Sequence, residues 1–249
     1  QFNDVITKAA GSTVTITDDG NSGVLADNRI QTAAKADLTA ETVRGNTITA
    51  SEADATIAIN ATTLDGGILA ADTVTLDNYA EGVALNVGQT ARVSVSGAET
   101  ITLTDFANAK LDSTTDGNIT VNATELDGAD SLLDLNADTS VVANTTIDAL
   151  IANVNGDLTV TEADDLTLSS VVAKRSLTVT AGKSIAVDAV DATNDATLTA
   201  TDGDITDASD SENANLTAAE VTRRGGGNIG TGEDSLGLAT TASTATAEN

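Results

Sequence analysis

Aliphatic and small polar residues alternate along most of this chain in short runs, and clusters of Asp, Gly, Asn and Ser separate the runs. A period of two is the pattern of a strand with one face buried, because successive side chains leave a strand on opposite sides. The pattern is clearest from Gly156 to Asp207. Leu158-Thr159-Val160-Thr161 is followed by a polar EADD, by Leu166-Thr167-Leu168 and by Val171-Val172. Leu177-Thr178-Val179-Thr180 is followed by AGKS, by Ile185-Ala186-Val187 and by Val190. A third copy, cut at Ala196, gives Thr197-Leu198-Thr199, then ATDGD, then Ile205-Thr206. A unit of about 19 residues that carries its own strands and cannot bury a face alone predicts a solenoid of stacked coils. Leu158 and Val160 are expected to point inward, and Thr159 and Thr161 outward.

The same rhythm extends to both sides. Thr13–Thr17 predicts a strand, closed by Asp18-Asp19-Gly20 as a turn. Ala33–Val43 reads as a short helix of the kind that caps solenoids. Further strands are predicted at Thr47–Thr49, Thr56–Ile59, Thr73–Leu76, Val83–Val87, Arg92–Val95, Thr100–Thr104, Lys110-Leu111, Asn118–Val121, Leu132–Leu135 and Ser140–Val142. One register runs Val83, Ile101, Ile119, Val141, Leu158, Leu177, Leu198, Leu216 and Leu236; a second runs Leu166, Ile185 and Ile205. The run Ile59–Gly66 recurs as Val121–Gly128, an offset of 62 residues, or about three coils. No linker composition interrupts the chain, so 1–249 is expected to be a single solenoid domain, with 1–20 and 230–249 as end segments. At 19–20 residues and ~4.8 Å per coil, that is roughly 12 coils and a rod of roughly 55–60 Å.

Composition narrows the chemistry. Of 249 residues, 40% are hydrophobic, yet Phe2, Tyr79 and Phe106 are the only aromatics, so the core must be aliphatic. The net charge of −27 repels nucleic acid and anionic lipid, and argues against both as partners. The absence of His and Cys excludes the usual zinc and copper sites and any histidine-based triad. No apolar run is long enough for a membrane-spanning helix. A chain that opens on Gln1 is expected to be a processed product or a fragment. An acidic chain without sulfur fits an extracellular or cell-surface location.

The candidate sites are few. Asp202, Asp204, Asp207 and Asp210, with Glu212, form the densest acidic cluster, and spaced carboxylates on a turn can ligate calcium, the one cofactor considered. Asp134, Asp138, Asp164 and Asp165 are lesser candidates, and solvated corner carboxylates are the plain alternative for all of them. Asp188, Asp191 and Asp207 could share a face as in polysaccharide-cleaving β-helices, but the coils offer few groups to hold a sugar. Rows of Thr-x-Thr resemble ice-binding surfaces; the Thr positions drift between units, and plain β-propensity accounts for them. Lys174-Arg175 and Arg223-Arg224 are expected in solvated turns, and Gly225–Gly230 in a tight corner rather than a phosphate loop. The sequons at Asn60, Asn118, Asn122, Asn144 and Asn215 are expected by chance in so Asn- and Thr-rich a chain.

SLTVTAGKSI, DATLTATDGDIT and GGGNIGTGEDSLGL resemble repeats of large secreted bacterial adhesins of the filamentous haemagglutinin type. The resemblance covers Gly156 to Thr240, implies a right-handed parallel β-helix with extracellular structural or adhesive work, and carries over no catalytic residue. The resulting expectation is a non-enzymatic subunit that joins head-to-tail with copies of itself into a filament or surface coat. Phe2, Val5, Ile6, Leu236 and Leu238 are the docking residues, and cell surfaces or glycans are further partners. The alternatives are a rigid adhesin shaft and a polysaccharide-active β-helix enzyme.

Overall fold

A computed structural model describes residues 4–7, 9–17, 24–52, 55–71, 73–77, 90–96, 100–106, 108–113, 118–125, 130–209, 214–230, 238–240 and 245–248. Their regular elements are all β-strands. The strands pair in parallel with strands of the neighbouring coils, which makes the architecture a parallel β-solenoid. Two units, 1–129 and 130–249, are each built this way.

In the second unit one face stacks Val141–Thr146, Leu158–Glu162, Leu177–Ala181, Asp195–Ala200, Glu220–Gly225 and Ala245–Glu248 in that order. A second face begins with Leu132–Ala137, Ala149–Val154 and Leu166–Ala173. The register shifts between Leu150 and Ile151, leaving Ser169 as the extra residue of the longer strand. One coil later that bulge has become a break. Leu166–Leu168 pairs with Ile185–Val187, Val171–Ala173 pairs with Val190–Ala192, and Asp188-Ala189 turns the chain between them. From there two ladders continue, to Ile205–Asp207 and to Leu216–Ala218.

In the first unit one ladder runs from Thr13–Thr17 through Lys35–Thr39, Thr56–Asn60, Thr73–Asp77 and Thr100–Thr104 to Thr120–Ala123. The long strands Lys35–Ala50 and Thr56–Ala70 each carry three faces of a coil, so Val24–Ala26 and Asp4–Ile6 find their ladders on successive parts of the same strands.

The core is a set of aliphatic stacks. Val141, Leu158, Leu177, Ala196 and Val221 follow one another inward, beside Ala143, Val160, Val179 and Leu198, and all are buried. Each large member contributes about 1.5–3 kcal/mol by leaving water. Coils stacked this closely leave no room at some corners. At Gly182, whose amide hydrogen-bonds the Glu162 carbonyl at 3.0 Å, an added Cβ would run into the Ala163 carbonyl of the preceding coil.

Most of the predicted strands lie within observed ones; Val83–Val87 lies outside the described residues. Leu158 and Val160 do point inward, with Thr159 and Thr161 outward, and the register Leu166, Ile185, Ile205 is observed residue for residue. Other expectations need correction. Ala33–Val43 is not a helix: Lys35–Ala50 is a strand. Ala36, Ala40 and Val43 have helical spacing, but Leu38 between them is buried as well, which only a period of two allows. Leu177 pairs with Ala196, as the cut of the third copy at Ala196 has it, while Leu198, which follows Leu177 in the first register, pairs with Val179. Ile101 pairs with Val121 rather than Ile119. The repeat at Ile59 and Val121 is likewise two residues out of register: Ile59 leads through Leu76 and Leu103 to Ala123. These slips are of two residues, which leaves the buried face unchanged, so aliphatic pattern alone does not detect them; Leu216, which follows Leu198 in the first register, instead belongs to another ladder, between Val190 and Leu238.

Truncating the stack at its best-packed level is the direct test of this core. Leu198→Ala is expected to lower unfolding stability by about 2–5 kcal/mol, read as a shifted urea midpoint with the m-value retained.

Candidate functional site

The corners carry most of the polar chemistry. One corner begins the strand face that starts at Val141. There the Asp157 amide donates to Ser140 Oγ at 2.9 Å, and the Ser176 amide donates to Asp157 Oδ1 at 3.0 Å. The next corner repeats this over four coils. The Ser184 amide donates to Asp165 Oδ1 at 2.8 Å, the Asp204 amide to Ser184 Oγ at 3.3 Å, and the Asn228 amide to Asp204 Oδ1 at 2.5 Å. Ser131 and Asp148 exchange amide-to-side-chain bonds of 2.7 and 3.0 Å at a third corner. Short acceptors fit here because their oxygens reach a backbone amide one coil away while the residue itself ends a strand. Each such bond stabilises by about 1 kcal/mol net, more where the acceptor is charged.

The predicted calcium ligands belong to this stitching. Asp204 holds the Asn228 amide. Asp207 Oδ1 accepts from the Ser209 amide and from Asn215 Nδ2, both at 2.7 Å. Asp202 is exposed, and Asp210 and Glu212 lie outside the described residues. Among the described residues no three His, Cys, Asp or Glu side chains are placed to hold a metal ion. The trio weighed for sugar cleavage is separated as well. Asp207 continues the inward column of Leu168 and Val187, whereas Asp191 pairs with Val172 and Thr217 and is exposed. Asn215 is buried, its side-chain amide also bonded to Ser209 Oγ and to the Val187 and Asp188 carbonyls, so it is closed to glycosylation.

The basic pairs divide. Lys174 and Arg175 are exposed at a corner, as expected, with Arg175 4.0 Å from Asp157. Arg223 is in the strand Glu220–Gly225, one coil beyond Leu198 in an inward column. Burial lowers its pKa, and its Nε is buried without a hydrogen-bond partner. Gly225–Gly230 is a corner, but for a different reason from the one expected. Gly226 and Gly227 press on Thr201 and on Gly203-Asp204 of the preceding coil, and of the group only Gly230 takes a positive φ.

Two features escaped the sequence reading. Glu162 occupies an inward position between Thr145 and Ala181 and is only 2% exposed. Its Oε2 accepts from Thr145 Oγ1 at 2.6 Å and from the Ile147 amide at 2.9 Å; its Oε1 accepts from the Ala163 and Asp164 amides at 2.7 and 3.3 Å. Such a carboxylate is a structural plug that satisfies a corner from inside. In the EADD run it reads as one more exposed acid; its place at the inward phase, two residues after Val160, is the signal that distinguishes it. The second feature is the ion pair of Lys183 Nζ with Asp164 Oδ1, at 2.5 Å across adjacent coils. The hydrogen bond to Asp164, with its charge, raises the Lys183 pKa above the ordinary lysine value.

Of the predicted docking residues, Val5 is half-buried and Ile6 exposed in the strand Asp4–Ile6, and the Leu238 backbone pairs with Leu216. Phe2 and Leu236 lie outside the described residues. No family model matches the chain, and neither does any curated protein or solved structure.

Glu162→Ala removes one acceptor group from several buried donors and is expected to cost about 1–3 kcal/mol or more in a urea melt, with Glu162→Gln retaining part of the loss. The Lys183 pair gives a pH test. Its folded pKa lies above the unfolded one, so its contribution is complete at neutral pH and is lost as pH rises through the raised value. Asp164→Asn is expected to bring the Lys183 titration, followed by NMR at the ε carbon, back down to the ordinary range.

Proposed function

We propose that this chain is an extracellular structural subunit, a right-handed solenoid of roughly 12 coils that joins head-to-tail into a filament or surface coat. The observation that carries the reading is that the described ladders are parallel throughout, so one coil pairs with the next by the same rule at every step. Ile6 and Val24, in the strands Asp4–Ile6 and Val24–Ala26, are 44% and 53% exposed. Unpaired strand edges template further pairing, and because the ladders are parallel the free groups of a last coil complement those of a first coil. A contact of that kind does not close on itself, so it propagates.

The net charge of −27 opposes the contact, and cations are expected to promote it by screening, or by binding at the acidic cluster Asp202, Asp204, Asp207 and Asp210. Calcium is the ion to test. The likeness of the repeats to filamentous haemagglutinin-type adhesins supports a secreted, non-enzymatic role, with cell surfaces or glycans as outer partners. The same ladders would also serve a rigid adhesin shaft; that second reading requires the ends to be inert.

Electron microscopy of the purified chain separates the two. Filaments are expected, longer in calcium or high salt, and abolished by Ile6→Asp with Val24→Asp while circular dichroism remains that of the parent. Dispersed single particles under every condition would contradict assembly and favour the shaft.

A further inference from the structure

The outward side of the face that begins at Val141 carries a regular hydroxyl array. Thr159 pairs with Thr178, Thr178 with Thr197, and Thr197 with Thr222; in the neighbouring row Thr161 pairs with Thr180 and Thr180 with Thr199. No register shift interrupts these ladders. The drift read from the sequence therefore belongs to the other faces, where Thr167 is followed by Ala186, and Val172 by Asp191. Parallel pairing sets the rows about 4.8 Å apart across coils and about 6.6 Å apart along each strand. Inward Val160, Val179 and Leu198 hold the strands level from beneath.

Two further observations point to what the array meets. The threonines themselves are uncharged, as are Val142 and Asn144 one coil before them, while Arg224 follows Thr199 in its row and Asp195 and Glu220 border Thr197 and Thr222 on their strands. Its hydroxyls are also unengaged. Among the described residues, none of the side chains of Thr159, Thr161, Thr178, Thr180, Thr197, Thr199 and Thr222 is hydrogen-bonded within the chain. Elsewhere Thr hydroxyls are used, as in Thr7 to Thr32, Thr32 to the Ser12 carbonyl and Thr145 to Glu162.

We propose that this threonine face binds ice. Each hydroxyl has donor and acceptor capacity left for water. The two spacings hold those waters in a plane whose repeats lie close to those of oxygen atoms on a prism face of ice. The methyl groups between them exclude mobile water from the same plane. Thr159, Thr161, Thr178 and Thr180, the part of the array farthest from Arg224, can meet a neutral crystal without desolvating a charge of their own. The inference is independent of the assembly reading, since it uses a lateral face rather than the coil ends.

Ice-affinity partitioning and ice recrystallisation assays on the whole chain test it. The parent protein is expected to enter growing ice and to arrest recrystallisation. Thr178→Lys with Thr180→Lys should reduce that effect at least about tenfold, a loss of about 1.4 kcal/mol of binding, while Thr167→Lys on another face leaves it unchanged. Circular dichroism and the urea midpoint verify that both variants fold. Exclusion of the parent from ice, or equal activity of the double variant, would overturn the proposal. Retention on crystalline cellulose or chitin without any ice activity would overturn it in favour of a polysaccharide surface. Self-association abolished by the double variant, again without ice activity, would overturn it in favour of a second copy.

Discussion

The backbone hydrogen-bonded ladder between a strand and its counterpart one coil later is the interaction on which everything else in this molecule rests. Leu158 stands opposite Leu177 and Leu166 opposite Ile185, each pair 19 residues apart, and their amides donate to the Ser176 and Ser184 carbonyls. Once that register holds, like side chains stack on like. The interior becomes columns of Leu, Ile, Val and Ala that need no aromatic ring to fill them. On the face that begins at Val141 the exterior becomes rows of Thr, while on the other faces the outward residue changes from coil to coil. Both the core and the surface are thus consequences of one spacing, and a two-residue slip changes the neighbours of a residue without changing its side.

The corners make that spacing tolerable for a chain so acidic. Many Asp residues are not free charges awaiting a partner; Asp157, Asp165 and Asp204 accept the amide of the next coil, alternating with the acceptors Ser140 and Ser184. Backbone amides satisfy the hydrogen-bonding capacity of such a carboxylate without a cation. Glu162 does the same from the inside of the coil. Negative charge and structural stitching are therefore two aspects of the same residues.

Much of the fold was legible because it depends on a period of two and a repeat near 19, both of which are local counts. Thr13–Thr17 and the column Leu166, Ile185, Ile205 were readable for that reason. What was not legible depends on absolute register or on corner geometry. Aligning whole units places Ala196 beside Leu177, as observed, whereas following large aliphatics alone selects Leu198, because the strand Asp195–Ala200 begins earlier than its large apolar residue suggests. Ala33–Val43 reads as a helix because Ala36, Ala40 and Val43 have helical spacing and only Leu38 between them argues for the strand. Arg223 and Glu162 break the rule that charge marks the outside, and each does so at an inward position that composition cannot show. The acidic cluster at Asp202–Asp210 was visible as a cluster, but the amides that Asp204 and Asp207 hold come from residues distant in sequence or folded back on them.

The central claim is the coil register, and distances between spin labels test it most directly. The chain contains no Cys, so pairs can be introduced cleanly at outward positions. Labels at Thr159 and Thr178 sit on backbone sites about 5 Å apart, and labels at Thr159 and Thr197 on sites about 10 Å apart. The account predicts strong dipolar broadening for the first pair and clearly weaker broadening for the second. Equal broadening in both pairs, or none in either, would contradict the stacked register and with it the solenoid.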